Sequence, residues 1–243
     1  MTAKRFDKRS IIRVAPRDSE ENVADFLQGL VTNDVASGLP TYAALLSAQG
    51  KAMFDFLVWR GEHGALLLDC EAEIADDLVK RLSLYRLRRP IDIARDEGLA
   101  AYWSPEPFEG ASIDPRLPGL GYRSVAPSGS GDSADAAYLA TRLALGVPEG
   151  NAELGDVLWL ETNAVELHGV SFEKGCYIGQ ENTARMNWRQ KVNRRLVIVP
   201  LSESQEKRRK AAYPDLGLAV DHLRVADLDP QMLPQWQASA IAD

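Results

Sequence analysis

Cys176 stands between Gly175 and Gly179, two residues after Lys174 and just ahead of the segment Gln180-Glu181-Asn182-Thr183-Ala184-Arg185. Two glycines four apart grant positive-φ freedom and let another group approach the backbone closely. The six residues after them read as the opening turns of a helix, with Glu181 near its start. A thiol just before a helix N-terminus and beside an ammonium is in a setting that lowers its pKa and favours the thiolate. The same residues also read as a tight loop around a small buried hydrophobe. Asp55, an acidic residue inside the apolar run Met53–Trp59, is the second candidate for chemistry. It suits a general base or an iminium stabiliser, or simply a solvent-facing position on a half-exposed strand.

Several local patterns position these groups. Ser10–Val14 reads as a strand. Asp18 and Glu21 have capping-box spacing ahead of Val23, Phe26, Leu27 and Leu30, which share one helical stripe. Tyr42–Ala48 and Met53–Trp59 flank the turn Gln49-Gly50-Lys51 as a hairpin, and Ala65–Leu68 adds a strand. Glu71–Leu87 is helical, acidic at its start and rich in arginine (Arg81, Arg86, Arg88, Arg89) at its end. That placement complements the helix dipole and equally offers a dock for an anionic tail. Pro90–Ala94, Leu99–Trp103 and Gly119–Val125 follow as strands, and Asp135–Leu145 as a helix stopped by Gly146. Val192–Val199 is a further strand, and Leu216–Val220 with Leu223–Leu228 a last pair. The tail from Asp229 lies against the body. Strands joined by hairpins with helices at intervals make an α+β protein with largely antiparallel sheet.

The chain has 243 residues, 45% hydrophobic and 26% charged, which suits a globular protein of one large or two modest domains. A net charge of −7 argues against direct nucleic-acid binding. No apolar run is long enough to cross a bilayer, and the basic N-terminus leads into no apolar signal core, so a cytoplasmic protein is expected. Cys70 and Cys176 form no Cys-x-x-Cys pair, and His63, His168 and His222 have no metal-ligand spacing. No self-contained metal site is expected, which leaves open a cluster bridged to a partner. Neither a dinucleotide fingerprint nor a phosphate loop is present. The oligomeric state is left open.

The stretch Lys174-Gly-Cys-Tyr-Ile-Gly-Gln-Glu181 resembles the signature of the folate-binding YgfZ proteins, relatives of the glycine-cleavage T-protein and of a mitochondrial iron–sulfur assembly factor. Phe26–Val35, Gln49–Phe56, Asp114–Leu117, Gly121–Arg123 and Arg142–Glu149 resemble other blocks of that family in the same order. The resemblance implies a T-protein-like body over residues 1–190, with two pseudo-symmetric subdomains around a folate-sized cavity, and a short C-terminal β domain and tail over 191–243. It implies tetrahydrofolate or a one-carbon derivative as ligand, held by Asn33, Asp55, Arg142, Lys174, Tyr177, Gln180, Glu181 and Arg185. It implies Cys176 as a reactive thiol or transient ligand and Asp55 as acid or base. The implied role is an accessory one in assembling or repairing [4Fe–4S] clusters, with assembly proteins or cluster-containing clients as partners and tRNA modification affected indirectly. Independent turnover is not expected. A folate-dependent one-carbon transferase and a non-catalytic scaffold are the alternatives. Where T-proteins read Arg-Leu-Glu this chain reads Arg142-Leu143-Ala144, and no amide stands at Asp69–Glu71, so aminomethyl transfer is disfavoured. The basic run Arg185, Arg189, Lys191, Arg194 and Arg195 could receive a polyglutamate tail or an acidic partner, or be a solvated face. Tyr177, Trp188 and Trp236 are expected in the core or at its rim.

Overall fold

The computed structural model describes residues 3–189 and 192–241. In chain order the elements are β1 (Lys4–Arg5), β2 (Arg9–Pro16), α1 (Val23–Gln28), β3 (Thr41–Leu46), β4 (Ala52–Arg60), β5 (Leu66–Glu71), α2 (Ala75–Arg86) and β6 (Ile91–Arg95). Next come β7 (Leu99–Ser104), β8 (Ser112–Ile113), β9 (Tyr122–Pro127), α3 (Asp135–Ala144), α4 (Asn151–Leu154) and α5 (Gln180–Arg189). The chain finishes with β10 (Arg194–Pro200), β11 (Arg209–Tyr213), β12 (Leu218–Arg224) and α6 (Gln235–Ile241). Three sheets result, with orders β3-β4-β5-β2-β6, β1-β7-β9-β8 and β10-β12-β11. Every pairing between these strands is antiparallel.

The five-stranded sheet is covered on both faces, so its central strands read as nearly continuous apolar runs. Side chains alternate across it. Phe54, Phe56 and Val58 of β4 join Leu27 of α1 and Leu78 and Leu82 of α2 in one apolar cluster. Leu57 and Trp59 face the other way, into a cluster with Trp103, Tyr138 and Trp159. By the same period Asp55 on β4, Asp69 on β5 and Arg9 on β2 project to that second face. Three ionisable residues are thus directed into one buried layer. Leu196 and Val220 of the C-terminal sheet belong to the same cluster as Trp159.

Two expectations change here. The capping residue of α1 is Asn22, whose Oδ1 accepts the Ala24 N–H at 3.0 Å. Asp18 instead closes a turn of its own on the N–H groups of Glu20 and Glu21, at 3.2 and 3.0 Å. Short polar side chains compete for nearby backbone in this way, which moves a helix start. At the C-terminus the last strands are β11 and β12, because Gly217 at φ 64 makes the turn between them, and residues 225–227 form a single 3-10 turn. The tail does lie on the body: Trp236 Nε1 donates to the Leu145 carbonyl at 2.9 Å, and Gln237 is buried.

Asp69 is fully buried between two guanidiniums, 2.7 Å from Arg9 Nε and 3.0 Å from Arg123 Nη1. Removing one partner of a buried ion pair leaves uncompensated charge in low dielectric, a loss of about 3–5 kcal/mol. Asp69→Ala is therefore expected to lower unfolding free energy by that amount in a denaturant titration. A loss below about 1 kcal/mol, as for surface pairs, would contradict it.

Candidate functional site

The buried layer contains a charge network that the motifs did not disclose. Arg116 pairs with Asp114 at 2.7 Å and with Glu149, and donates from Nη2 to the Tyr138 hydroxyl at 2.7 Å. Arg123 Nε lies 3.0 Å from Asp114 Oδ2, and Arg9 Nη1 lies 3.2 Å from Glu149 Oε1. Aromatic faces complete the cage: Arg116 sits 5.1 Å from the Tyr42 ring centre and Arg123 4.4 Å from that of Tyr138. Burial pushes the Glu149 carboxyl up, but the Arg116, Arg9 and Arg123 charges outweigh it and hold it well below its ordinary value. Three arginines thus meet three carboxyl groups in this layer. The signal in sequence was a set of isolated charges amid apolar residues, such as Asp69 after Leu66-Leu67-Leu68.

Asp55 is the fourth carboxyl of this layer and has no guanidinium of its own. It is 3% exposed, and its Oδ2 accepts from the Tyr42 hydroxyl at 3.3 Å. Burial, then the negative charge of Glu149, push its pKa up to about 6 against the pull of Arg9 and Arg116. The solvent-facing strand position considered for it is overturned, because β4 is an inner strand with a layer packed over each face.

A cavity of about 480 Å³ opens beside the network, lined among others by Lys8, Arg9, Tyr138, Arg142, Glu149 and Tyr213. Its volume suits a small-molecule ligand. Several of its polar groups are already engaged. Arg142 is held by Glu153 at 2.6 Å and by the Val147 carbonyl at 3.0 Å, and the Tyr138 hydroxyl donates to Glu149 at 2.8 Å. Asp55 is not among the lining residues. Ala144 is exposed on α3 and does not line the cavity either. The cavity therefore fits a folate in volume, but Arg142, Tyr138 and Glu149 on its wall are already paired within the chain.

The cysteine loop forms a second centre, anchored to β3 and α1. Gly179 lies at φ +79, and a Cβ there would stand 2.3 Å from the Ser47 carbonyl oxygen, so the loop abuts the β3–β4 turn as closely as backbone permits. Gly175 has open space around it, and only one of the two glycines is sterically required. Lys174 Nζ donates to the carbonyls of Gln28 and Val31, at 2.5 and 2.6 Å, capping the exit of α1. Burial lowers its pKa to about 8, with Asp34 and Cys176 opposing. Tyr177 is buried beneath that ammonium, 4.8 Å from ring centre to Nζ. Cys176 itself is exposed, whereas Cys70 is buried and its thiol is pushed up to about 12 by burial. The inert buried thiol is thus Cys70, and the buried-hydrophobe reading of Cys176 falls.

The remaining expected ligand residues do structural work. Asn33 Nδ2 donates to Thr41 Oγ1 and to the carbonyls of Tyr42 and His168, at 3.0, 2.9 and 2.7 Å. Gln180 Oε1 accepts the Tyr177 N–H at 3.2 Å, and Glu181 pairs with Arg185 at 3.0 Å across one helical turn. The basic run does not assemble as one face, because Arg195 is buried and paired with Glu166 at 2.8 Å. Lys191 and the Arg189 side chain lie outside the described residues. Trp188 is 74% exposed, and its ring meets that of Phe172 edge-on at 6.5 Å. One residue joins the two centres: Tyr42 gives its hydroxyl to Asp55 and its carbonyl to Asn33. The proposed ligand residues otherwise divide between a buried core and a surface loop.

Two outcomes are expected. Folded Asp55 keeps its proton to about pH 6 whereas an ordinary aspartate loses it near 3.8, so stability falls as pH rises through this window and then levels off. Asp55→Asn should flatten that slope and stabilise the protein at neutral pH by about 2–3 kcal/mol; an unchanged pH profile of unfolding would show that Asp55 titrates normally. Gly179→Ala should depress the thermal midpoint, while Gly175→Ala leaves it nearly unmoved. Equal effects would contradict the close approach at Gly179.

No family model matches the chain. It is similar to the human protein named "Iron-sulfur cluster assembly factor IBA57, mitochondrial", with 34% identity over 237 residues, covering 80% of this chain and 65% of that protein. The mouse counterpart is 34% identical over 244 residues, covering 82% and 66%. The homologue of Mycosarcoma maydis is 34% identical over 228 residues, covering 80% and 55%. The chain thus spans just under two thirds of the mammalian relatives' length and about half of the fungal one's. All three are named mitochondrial, which overturns the cytoplasmic expectation; a missing apolar signal core does not separate cytosol from mitochondrion. The crystal structure of the glycine cleavage system aminomethyltransferase T from Bartonella henselae superposes with a TM-score of 0.67 at 15% identity, covering 92% of this chain and 78% of that one. The chain therefore has the T-protein fold, and its sequence relatives are mitochondrial iron–sulfur cluster assembly factors.

Proposed function

We propose that this protein is an accessory factor in assembling or repairing iron–sulfur clusters, with Cys176 as the thiol that meets the cluster. The observation that carries this reading is an exposed thiol on a loop pinned by Gly179 and Lys174. A loop fixed in this way presents sulfur without the ordering cost of a free one. Coordination takes the thiolate and releases its proton. Among the described residues no group of three or more His, Cys, Asp or Glu could hold a metal ion, so the other ligands come from a partner protein. The cluster is then cargo passing through a shared site. The exposed pair of Trp188 and Phe172 offers apolar ground on which a partner would seat. The sequence similarity to the IBA57 assembly factors supports the same role. Effects on tRNA modification would follow only through client enzymes that need a cluster.

A reduced folate is the ligand implied for the cavity beside Arg142. Pterin recognition there requires displacing the chain's own ion pairs, and no step is derived through it. Catalysis of one-carbon transfer is correspondingly disfavoured, since the Asp55 carboxyl is sealed against Tyr42 and does not reach the cavity.

In cells lacking the protein, Cys176→Ala should fail to restore the activity of [4Fe–4S] enzymes, while Cys70→Ala restores it. In the folded protein iodoacetamide should label Cys176 at once and Cys70 only on unfolding. Full restoration by Cys176→Ala under oxidative load would remove the thiol from the function.

A further inference from the structure

The C-terminal end of α2 carries a surface that no part of the described fold covers. Leu84 and Leu87 are 66% and 83% exposed. Arg81 and Leu84 lie three apart on the helix and share its face, and Leu87 and Arg88 follow in the turn that ends it. The neighbouring arginines are spent inside the fold. Arg86 donates to the Ile91 carbonyl at 3.0 Å, and Arg89 donates to Glu21 and to the Asn22 carbonyl. Nearby carboxylates are committed as well: Asp77 pairs with Lys80 at 3.0 Å and Asp76 with Arg95 at 3.5 Å. Among the described residues no carboxylate pairs with Arg81 or Arg88.

The backbone makes this patch more than a scatter of apolar residues. Leu87 lies at φ 51, ψ −114, the first central position of a turn in which the Arg89 N–H reaches the Arg86 carbonyl at 3.0 Å. Turns with positive φ at that position take glycine, because a Cβ is disfavoured there. Leucine accepts the strain, yet its side chain packs on almost nothing in the chain to offset it. Strain held without internal compensation points to a contact made outside the fold.

We propose that this end of α2 docks an acidic amphipathic segment of a partner protein. Its apolar residues would seat on Leu84 and Leu87, and its carboxylates would pair with Arg81 and Arg88. A short acidic segment is favoured over an anionic membrane because it meets only the charges within a Debye length, Arg81 and Arg88, whereas an extended bilayer also meets the acidic first turn of α2 and the net charge of −7. The surface is separate from the cysteine loop. Arg89 holds the entrance of α1 through Glu21 and Asn22, whereas Lys174 holds its exit. A partner could therefore engage both ends of α1 at once.

The test is fluorescence anisotropy of the full chain with a labelled helical peptide that pairs leucines at i, i+3 with flanking glutamates. Saturable binding that weakens with salt is expected, and Arg81→Gln with Arg88→Gln should remove the salt dependence. Leu87→Gly should weaken binding by about tenfold or more, as for a central interface residue, while raising the thermal midpoint by releasing the turn. Leu84→Ala, on an exposed helix face, should weaken binding with the fold unchanged. The proposal is overturned if binding is absent, if either leucine variant binds like the wild type, or if Leu87→Gly lowers the midpoint. Equal binding of a peptide with serines for leucines, or stronger binding to phosphatidylserine vesicles, overturns it too.

Discussion

Burying three arginines among three carboxylates is the constraint on which the rest of this structure depends. Charges moved out of water are tolerated only when each is paired and hydrogen-bonded. Here Arg9, Arg116 and Arg123 meet Asp69, Asp114 and Glu149 in one buried layer, and apart from the neighbours Asp114 and Arg116 they come from separate stretches of chain. The network ties β2 and β5 of the five-stranded sheet to β9 of the four-stranded sheet, to the loop between β8 and β9 and to the loop between α3 and α4. Such a cluster favours one arrangement of the sheets over others, because any slip would strand a charge. It also fixes the fate of Asp55. With every guanidinium already claimed, the fourth carboxyl is left with the Tyr42 hydroxyl and a raised pKa.

A pterin needs free, correctly aimed acceptors, and a transferred one-carbon unit needs a reachable acid or base. In the cavity beside Arg142, that arginine is held by Glu153 and Val147 and the Tyr138 hydroxyl by Glu149, and Asp55 does not line it. The thiol of the proposed function stands instead on the surface loop around Cys176. There Gly179 allows the backbone to lie against the Ser47 carbonyl, and Lys174 fastens the loop to the end of α1. Tyr42 lies between the centres, touching Asp55 with its hydroxyl and Asn33 with its carbonyl. The fold thus spends its buried polarity on rigidity and its surface on contact.

The elements were largely legible from local pattern. The hairpin around Gly50, the helix from Glu71 to Leu87 and the helix from Asp135 to Leu145 sit close to where periodicity and capping put them. Errors arose where short polar side chains or a single glycine redirected the chain, as at Asp18 and Gly217. The site was less legible. Asn33, Gln180, Glu181 and Arg185 carry functional groups that suit a ligand, but each is occupied by a neighbour in the fold.

The sequence by itself determined the fold class and marked the loop around Cys176, because hydrophobic period, turn residues and a glycine-flanked thiol are local facts. Only the tertiary structure decided which cysteine is exposed and which is buried. Only there does Asp55 turn inward, since the face a strand residue occupies depends on what packs against the sheet. Apart from the local pair of Arg116 and Asp114, the pairing of Arg9, Arg116 and Arg123 with carboxylates up to 140 positions away in the chain likewise belongs to the fold. Charge balance in a buried layer is a property of the assembled neighbours.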